Sequence, residues 1–135
     1  MGKEDYKTWL KRAESNLKLA KEGQVEGVLF EDLCFEAQQA AEKALKALSI
    51  YVREKYEKVH AFGVLLDDLE KHVEIPNYVK EVLELSDYAV QTRYPGDYYP
   101  VGEDEYNRAI EIAEKVMNWV KECIEKRKDK IENAG

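Results

Sequence analysis

The segment FEAQQAAEKALKAL, residues 35–48, decides the fold class. Apolar residues in and around it recur at steps of three and four, which is typical of one face of an amphipathic helix. Its alanines also allow neighbouring helices to approach closely. We predict a helix over residues 27–56, which at about 1.5 Å per residue spans on the order of 40 Å. The apolar seam consists of Phe30, Leu33, Ala37, Ala41, Ala44, Leu48 and Tyr51.

Four more segments, at residues 5–22, 61–71, 76–92 and 103–125, show helical periodicity, and none alternates with period two over strand length. We therefore predict an all-α protein, an antiparallel up-and-down bundle of four long helices plus a short helix at 61–71. Residues 1–135 would form a single domain, with residues 126–135 a frayed polar tail. In the fourth helix we expect these residues to face inward: Val79, Val82, Leu83, Ser86, Ala89 and Val90.

The composition excludes some classes of protein. A net charge of −7 argues against a general nucleic-acid coat, although it leaves room for a local basic site. No apolar run approaches the roughly 20 residues of a membrane span, and the charged start is unlike a signal peptide, so we expect a cytoplasmic protein without membrane association. Glu and Lys dominate the polar positions while Asn and Gln are sparse, a composition typical of thermophiles.

We expect neither a metal site nor a cofactor. His60 and His72 are twelve residues apart, and no His or Cys stands at ligand spacing from another such residue. The seven glycines are scattered and form no phosphate-binding loop. Cys34 and Cys123 fall on apolar helical faces, which favours buried free thiols over a disulfide or a reactive site.

The segment QTRYPGDYYP, residues 91–100, is the first candidate for a functional site. Arg93 offers a planar fork that binds phosphate. The rings of Tyr94, Tyr98 and Tyr99 would either pack in an interface or stack on nucleobases.

A second candidate is the charged stripe of the long helix. Lys43, Lys46 and Arg53 lie at similar helical angles, with Glu42 beside them. This pattern is either a solvated face or one wall of a site whose other wall is residues 91–100. His60 precedes the third helix, where it would hydrogen-bond within a helix connection or contact a ligand or partner.

Taken together, FEDLCFEAQQAAEKALKALSIYVRE, VHAFGVLLDDLE, TRYP and EYNRAIEIAEKV, in this order, resemble the HEPN domain family, named for higher eukaryotes and prokaryotes nucleotide-binding. The resemblance extends from Tyr6 to about Ile124. It implies a helical bundle that usually forms a homodimer. It also implies a frequent partner, a small nucleotidyltransferase-fold protein that is often the other half of a toxin–antitoxin pair.

The resemblance also allows the sequence to be compared with the motif of the ribonucleolytic members. Ribonucleolytic members carry an Arg with four to six residues between it and a His at the start of this loop, and two copies form a composite site. Arg93 matches that Arg, but the three positions for the His hold Tyr98, Tyr99 and Pro100. Tyrosine, with an unperturbed pKa of about 10, does not readily replace imidazole as a base near neutral pH.

We therefore favour a dimeric module that binds a nucleotide or a partner and acts with a nucleotidyltransferase-fold protein. The alternative is a metal-independent endoribonuclease centred on Arg93. In a third interpretation the loop is a dimer contact, with Arg93 paired to Glu42 or Asp97. The predicted nucleotide-binding residues are Arg93, Tyr94, Tyr98, Tyr99, Lys43 and Lys46, supported by Glu42, His60 and Asp97.

Overall fold

The computed structural model describes residues 5–22, 25–53, 61–88 and 101–134. Within these ranges every regular element is helical, which confirms the all-α prediction. No helix in them is both long enough and apolar enough to cross a bilayer. The elements are α1 (Asp5–Glu22), α2 (Phe30–Arg53), α3 (Phe62–Glu70), α4 (Asn77–Lys80), a 3₁₀ helix (Glu81–Tyr88) and α5 (Glu103–Ala134).

Helix α2 is the centre of the bundle. It packs most extensively against α1 and α5, and every residue from Ala44 to Tyr51 is buried. The predicted seam is buried from Leu33 to Tyr51, while Phe30 is partly buried and packs against the core. The alanines of α2 are fully buried, so their small side chains let the neighbouring helices approach.

The start of α2 differs from the prediction by three residues. Gly27 has φ of +89°, a left-handed conformation that glycine adopts readily. This conformation is not that of a right-handed helix, so α2 does not extend back to Gly27. The amide of Val28 donates to the carbonyl of Val25 at 3.1 Å, which closes a turn before the helix. The predicted bounds of α1, by contrast, are confirmed, as is the start of α5 at Glu103.

The segment predicted as one α-helix over residues 76–92 instead forms a short α-helix followed by a 3₁₀ helix. Pro76 caps a short α4, and the chain then winds into a 3₁₀ helix from Glu81 to Tyr88. With three residues per turn, every third side chain lies in line. Val79, Val82 and Leu85 are therefore buried, and the inward orientation predicted for Leu83 and Ser86 is wrong, since both are exposed. Ala89 and Val90 lie outside the described residues.

Helix α5 continues as far as Ala134. The prediction of a frayed tail over residues 126–135 is therefore wrong for residues 126–134. Contacts on two sides hold this part of α5. Arg127 donates from Nη2 to the carbonyl of His72 at 2.7 Å, and the Lys128 ammonium lies 5.6 Å from the centre of the Tyr6 ring.

Two further contacts join α5 to the rest of the bundle. The Tyr106 hydroxyl donates to the carbonyl of Ala20 at 2.7 Å and so satisfies one of the free carbonyls at the end of α1. Arg108 pairs with Glu81 and Glu84 of the 3₁₀ helix, and this contact lowers the pKa of Glu84.

Candidate functional site

A row of four buried polar side chains runs along α2. Gln38, Glu42, Lys46 and Ser49 are spaced by four, four and three residues, so they share one face of the helix. Each is between 0% and 3% exposed. We call this row the polar ladder. Polar groups so deeply buried require hydrogen-bond partners, because an unsatisfied buried group costs about 1–3 kcal/mol.

The Glu42 carboxylate is the centre of the polar ladder. One oxygen accepts from Gln38 Nε2 at 3.2 Å, and the other accepts from Lys46 Nζ at 3.1 Å. Gln38 in turn accepts from Gln39 Nε2 at 2.8 Å. A buried ion pair repays its desolvation only when such additional hydrogen bonds satisfy its members.

Helix α1 covers one side of this region. The Lys46 ammonium lies 5.4 Å from the centre of the Trp9 ring, within the range of a cation–π interaction. Lys43, which is half-buried, donates to Asn16 Oδ1 at 2.8 Å, and the Asn16 amide donates to Glu36 at 2.6 Å. Lys43 thus also contacts α1, at Asn16.

Helix α3 is joined to the C-terminal end of the charged stripe. Arg53 Nη1 lies 3.4 Å from Asp68 Oδ2, and these side chains are 15% and 21% exposed. The stripe of Lys43, Lys46 and Arg53 therefore interacts with several side chains of the bundle. The interpretation of a solvated face is wrong for Lys46 and its neighbour Glu42, because both are buried.

The remaining predicted site residues are not among those that the structure describes. These are His60, Arg93, Tyr94, Asp97, Tyr98 and Tyr99. The structure thus brings Glu42 and Lys46 together, and the second wall of the site stays a prediction. Two tyrosines close to the loop in sequence are described: Tyr106 is buried with its hydroxyl on α1, and the Tyr88 hydroxyl donates to Glu105 at 2.9 Å.

Sequence reasoning did not single out Gln38, Ser49 or Trp9 as parts of this region. A usable signal was present, since Gln38, Glu42, Lys46 and Ser49 recur at helical spacing opposite the apolar seam. Alanines occupy much of the rest of α2, so few of its positions suit a solvated face. The signal was missed because a polar stripe opposite an apolar seam ordinarily faces solvent.

Cys34 is a free thiol that lies in the core and is poorly reactive. Burial raises the pKa of the Cys34 thiol to about 12, and the nearby carboxylates of Glu105 and Glu31 add to the shift, while a hydrogen bond with Tyr88 opposes it. Because the thiolate is the nucleophile, a thiol held protonated in this way is inert at neutral pH. Cys123 is a half-buried free thiol, and within the described ranges no three His, Cys, Asp or Glu side chains are grouped to hold a metal ion.

Comparison with known proteins agrees with this architecture. The sequence profile of the HEPN domain matches residues 6–123. The crystal structure of TT1696 from Thermus thermophilus is similar at 34% identity and a TM-score of 0.73, over 87% of this chain and 97% of the other. The crystal structure of ST0689, an archaeal HEPN homologue, is similar at 28% identity and a TM-score of 0.69, over 88% and 97%. A search of curated proteins gave no match. The profile match covers most of the chain and the bundle has the expected helices, so the chain belongs to the HEPN domain family.

Proposed function

We propose that this chain is a dimeric HEPN module that binds a nucleotide or a partner protein and acts with a nucleotidyltransferase-fold protein, as one half of a toxin–antitoxin pair. The observation that carries the proposal is the buried Glu42–Lys46 pair beside Trp9. Placing two charges in the core costs several kcal/mol of desolvation for each ion, which simple packing of a bundle does not require. Buried polar networks of this kind are also rigid, which suits the wall of a binding site.

In this proposal the polar ladder is the fixed wall, and the loop at residues 91–100 carries the groups that contact the ligand. Arg93 would bind phosphate through its guanidinium fork. Tyr94, Tyr98 or Tyr99 would stack on the base, since every base offers a π-face. Lys46, already charged and held in place by Glu42, would add to the positive potential at the phosphate.

Endoribonuclease activity remains the competing function, and no described side chain favours it. His72 is an exposed residue of the α3–α4 connection, and its carbonyl accepts a hydrogen bond from Arg127. The sequence offers Tyr98, Tyr99 and Pro100 where the family's catalytic His stands in ribonucleolytic members.

Isothermal titration calorimetry with ATP, AMP and a short uridine-rich RNA tests nucleotide binding. We expect binding by the native protein and a loss of about tenfold or more in Arg93→Ala, because a charge-assisted bidentate contact is removed. Lys115→Ala is the matched control, since this lysine pairs with Glu111 on the exposed side of α5 and removal of its charge leaves the ligand contacts intact.

Partner binding is tested by co-purification with a nucleotidyltransferase-fold protein encoded beside this chain, and dimer formation by sedimentation equilibrium. Absence of heat from every ligand at millimolar concentration, together with absence of a co-purifying complex, would overturn the proposal. Cleavage of labelled tRNA that disappears in Arg93→Ala would replace it with the endoribonuclease.

A further inference from the structure

A groove runs between α1 and α5, away from the polar ladder. It consists of two clefts in line, and Glu14 and Lys121, which line both clefts, form an ion pair at the boundary between them. The two helices both pack on α2 and contact each other less extensively, which leaves the channel between them. We call it the α1–α5 groove. Its apolar floor is formed by Tyr6, Leu10, Leu17, Met117 and Ile124.

Lysines dominate the rim of the α1–α5 groove. On α1 they occupy positions 7, 11, 18 and 21, which together with Glu14 repeat at steps of four and three and therefore follow one line along the helix. Lys121 and Lys128 stand on α5. The lining holds six lysines against three glutamates, in a chain whose net charge is −7. The groove is thus a positive strip on a negative protein.

Two of these lysines are available to a ligand. Glu14 stands at i+3 from Lys11 and at i−4 from Lys18, the spacings at which side chains pair on a helix. Its carboxylate instead crosses the groove and meets Lys121 at 2.8 Å. In the described part of the chain, no carboxylate lies within 4.0 Å of the Lys11 or Lys18 ammonium, and both side chains are exposed.

We propose that the α1–α5 groove binds an amphipathic helix of a partner protein, in which acidic residues flank a row of apolar ones. From Lys7 to Lys21 the rim spans about 21 Å, the length of roughly four helical turns. Apolar side chains of the partner helix would cover the floor, and its carboxylates would meet the lysines, as in other helix-in-groove complexes. This inference does not rest on nucleotide binding or on the loop at residues 91–100.

The composition of the groove favours a protein helix over a nucleic-acid strand. Glu14, Glu114 and Glu125 stand among the lysines and would repel a continuous row of phosphates. A phosphate backbone also gains nothing from the apolar floor. An amphipathic helix can place apolar residues there and carboxylates only beside lysines, so it matches both features.

Fluorescence anisotropy with a labelled amphipathic peptide tests the proposal. The probe is a peptide of about fourteen residues, with leucines at steps of three and four, glutamates only at the positions that flank the leucines, and alanines elsewhere. We expect it to bind the native protein, and the double variant Lys11→Glu/Lys18→Glu to weaken binding about tenfold or more. The matched control is Lys126→Glu/Lys130→Glu, which changes the charge equally at exposed positions of α5 outside the groove, and which we expect to stay within about twofold.

A third variant tests the role of the ion pair that crosses the groove. Glu14→Gln frees Lys121 and removes a negative charge, so the acidic peptide should bind more tightly. The proposal would be overturned by any of three results. These are an equal loss of peptide affinity in the control variant, weaker peptide binding by Glu14→Gln, and no binding of the peptide to the native protein. Tighter binding of a uridine RNA of similar length with the same dependence on Lys11 and Lys18 would overturn it as well. The groove variants should leave ATP binding unchanged, so this proposal and the proposed function fail separately.

Discussion

The Lys46 ammonium and the Glu42 carboxylate form an ion pair at 3.1 Å inside the bundle, where each side chain is only 3% exposed. A second pair with the same i,i+4 spacing, Glu111–Lys115, has a similar distance of 2.9 Å but lies on the exposed side of α5, at 53% and 40% exposure. The two pairs differ chiefly in burial, so they form a natural comparison.

We predict that Lys46→Met lowers the free energy of unfolding by about 3–5 kcal/mol, because it removes the ammonium that pairs with the buried Glu42 carboxylate. The double variant Glu42→Leu/Lys46→Met should recover most of this loss, since an apolar pair avoids desolvation altogether. Urea denaturation measures both, and Lys115→Met serves as the exposed control with no comparable loss. A double variant no more stable than Lys46→Met would show that other contacts of these residues dominate.

The register of the 3₁₀ helix leads us to expect different losses of stability at two leucines that are two positions apart. Leu85 is 1% exposed, so Leu85→Ala should cost about 2–4 kcal/mol of unfolding free energy through the lost burial and the cavity. Leu83 is 49% exposed, and Leu83→Ala should change stability by less than about 0.5 kcal/mol. Thermal and urea denaturation of the two variants check this. A larger cost at Leu83 than at Leu85 would instead indicate an α-helical register.

The hydroxyl of Tyr106 is predicted to stabilise the junction of α1 and α5. Tyr106→Phe keeps the ring but leaves the carbonyl of Ala20 without this buried donor, so we expect a loss of about 1–2 kcal/mol. Tyr78→Phe is the control, because Tyr78 is 42% exposed and water can replace any bond of its hydroxyl. Equal unfolding free energies for the native protein and Tyr106→Phe would contradict this role.

The buried Cys34 thiol should make the stability of the protein depend on pH in the alkaline range. The pKa of its thiol rises from 9.0 to about 12 in the folded protein, so between these values the unfolded chain releases a proton that the folded chain keeps. The contribution of Cys34 to the free energy of unfolding should therefore be constant below about pH 9 and fall above it, by at most about 1.4 kcal/mol per pH unit. Denaturation of the native protein and of Cys34→Ala, compared at a near-neutral and an alkaline pH, isolates this contribution. A constant difference between the two proteins would contradict it.

Iodoacetamide provides an independent check on Cys34. The folded protein should leave Cys34 unmodified at neutral pH, because the thiol is both buried and protonated. Unfolding in guanidinium chloride should expose it to full alkylation, which mass spectrometry of the peptides would show. Rapid alkylation of Cys34 in the folded state would indicate that this part of the core opens readily.

Much of the fold could be predicted because apolar periodicity reports burial directly. The seam of α2 and the bounds of α1 were correct, since each depends on residues within one helix. The register of the segment after Pro76 was not, because an α-helix and a 3₁₀ helix place the same apolar residues inward over the first turn and diverge only afterwards. The end of α5 was also misjudged, because its contacts come from Tyr6 and His72, which are distant in sequence.

For the candidate site, residue types and their order were enough to establish the family resemblance, the presence of Arg93 with its tyrosines and the absence of the family's catalytic His at the matching positions. The packing of the helices was needed to show that Glu42 and Lys46 are buried, that Lys43 is directed towards Asn16, and that lysines of α1 and α5 border a common groove. The difference arises because spacing along the chain defines which side chains share a helix face, whereas the neighbouring helices decide whether that face meets water, another side chain or a partner.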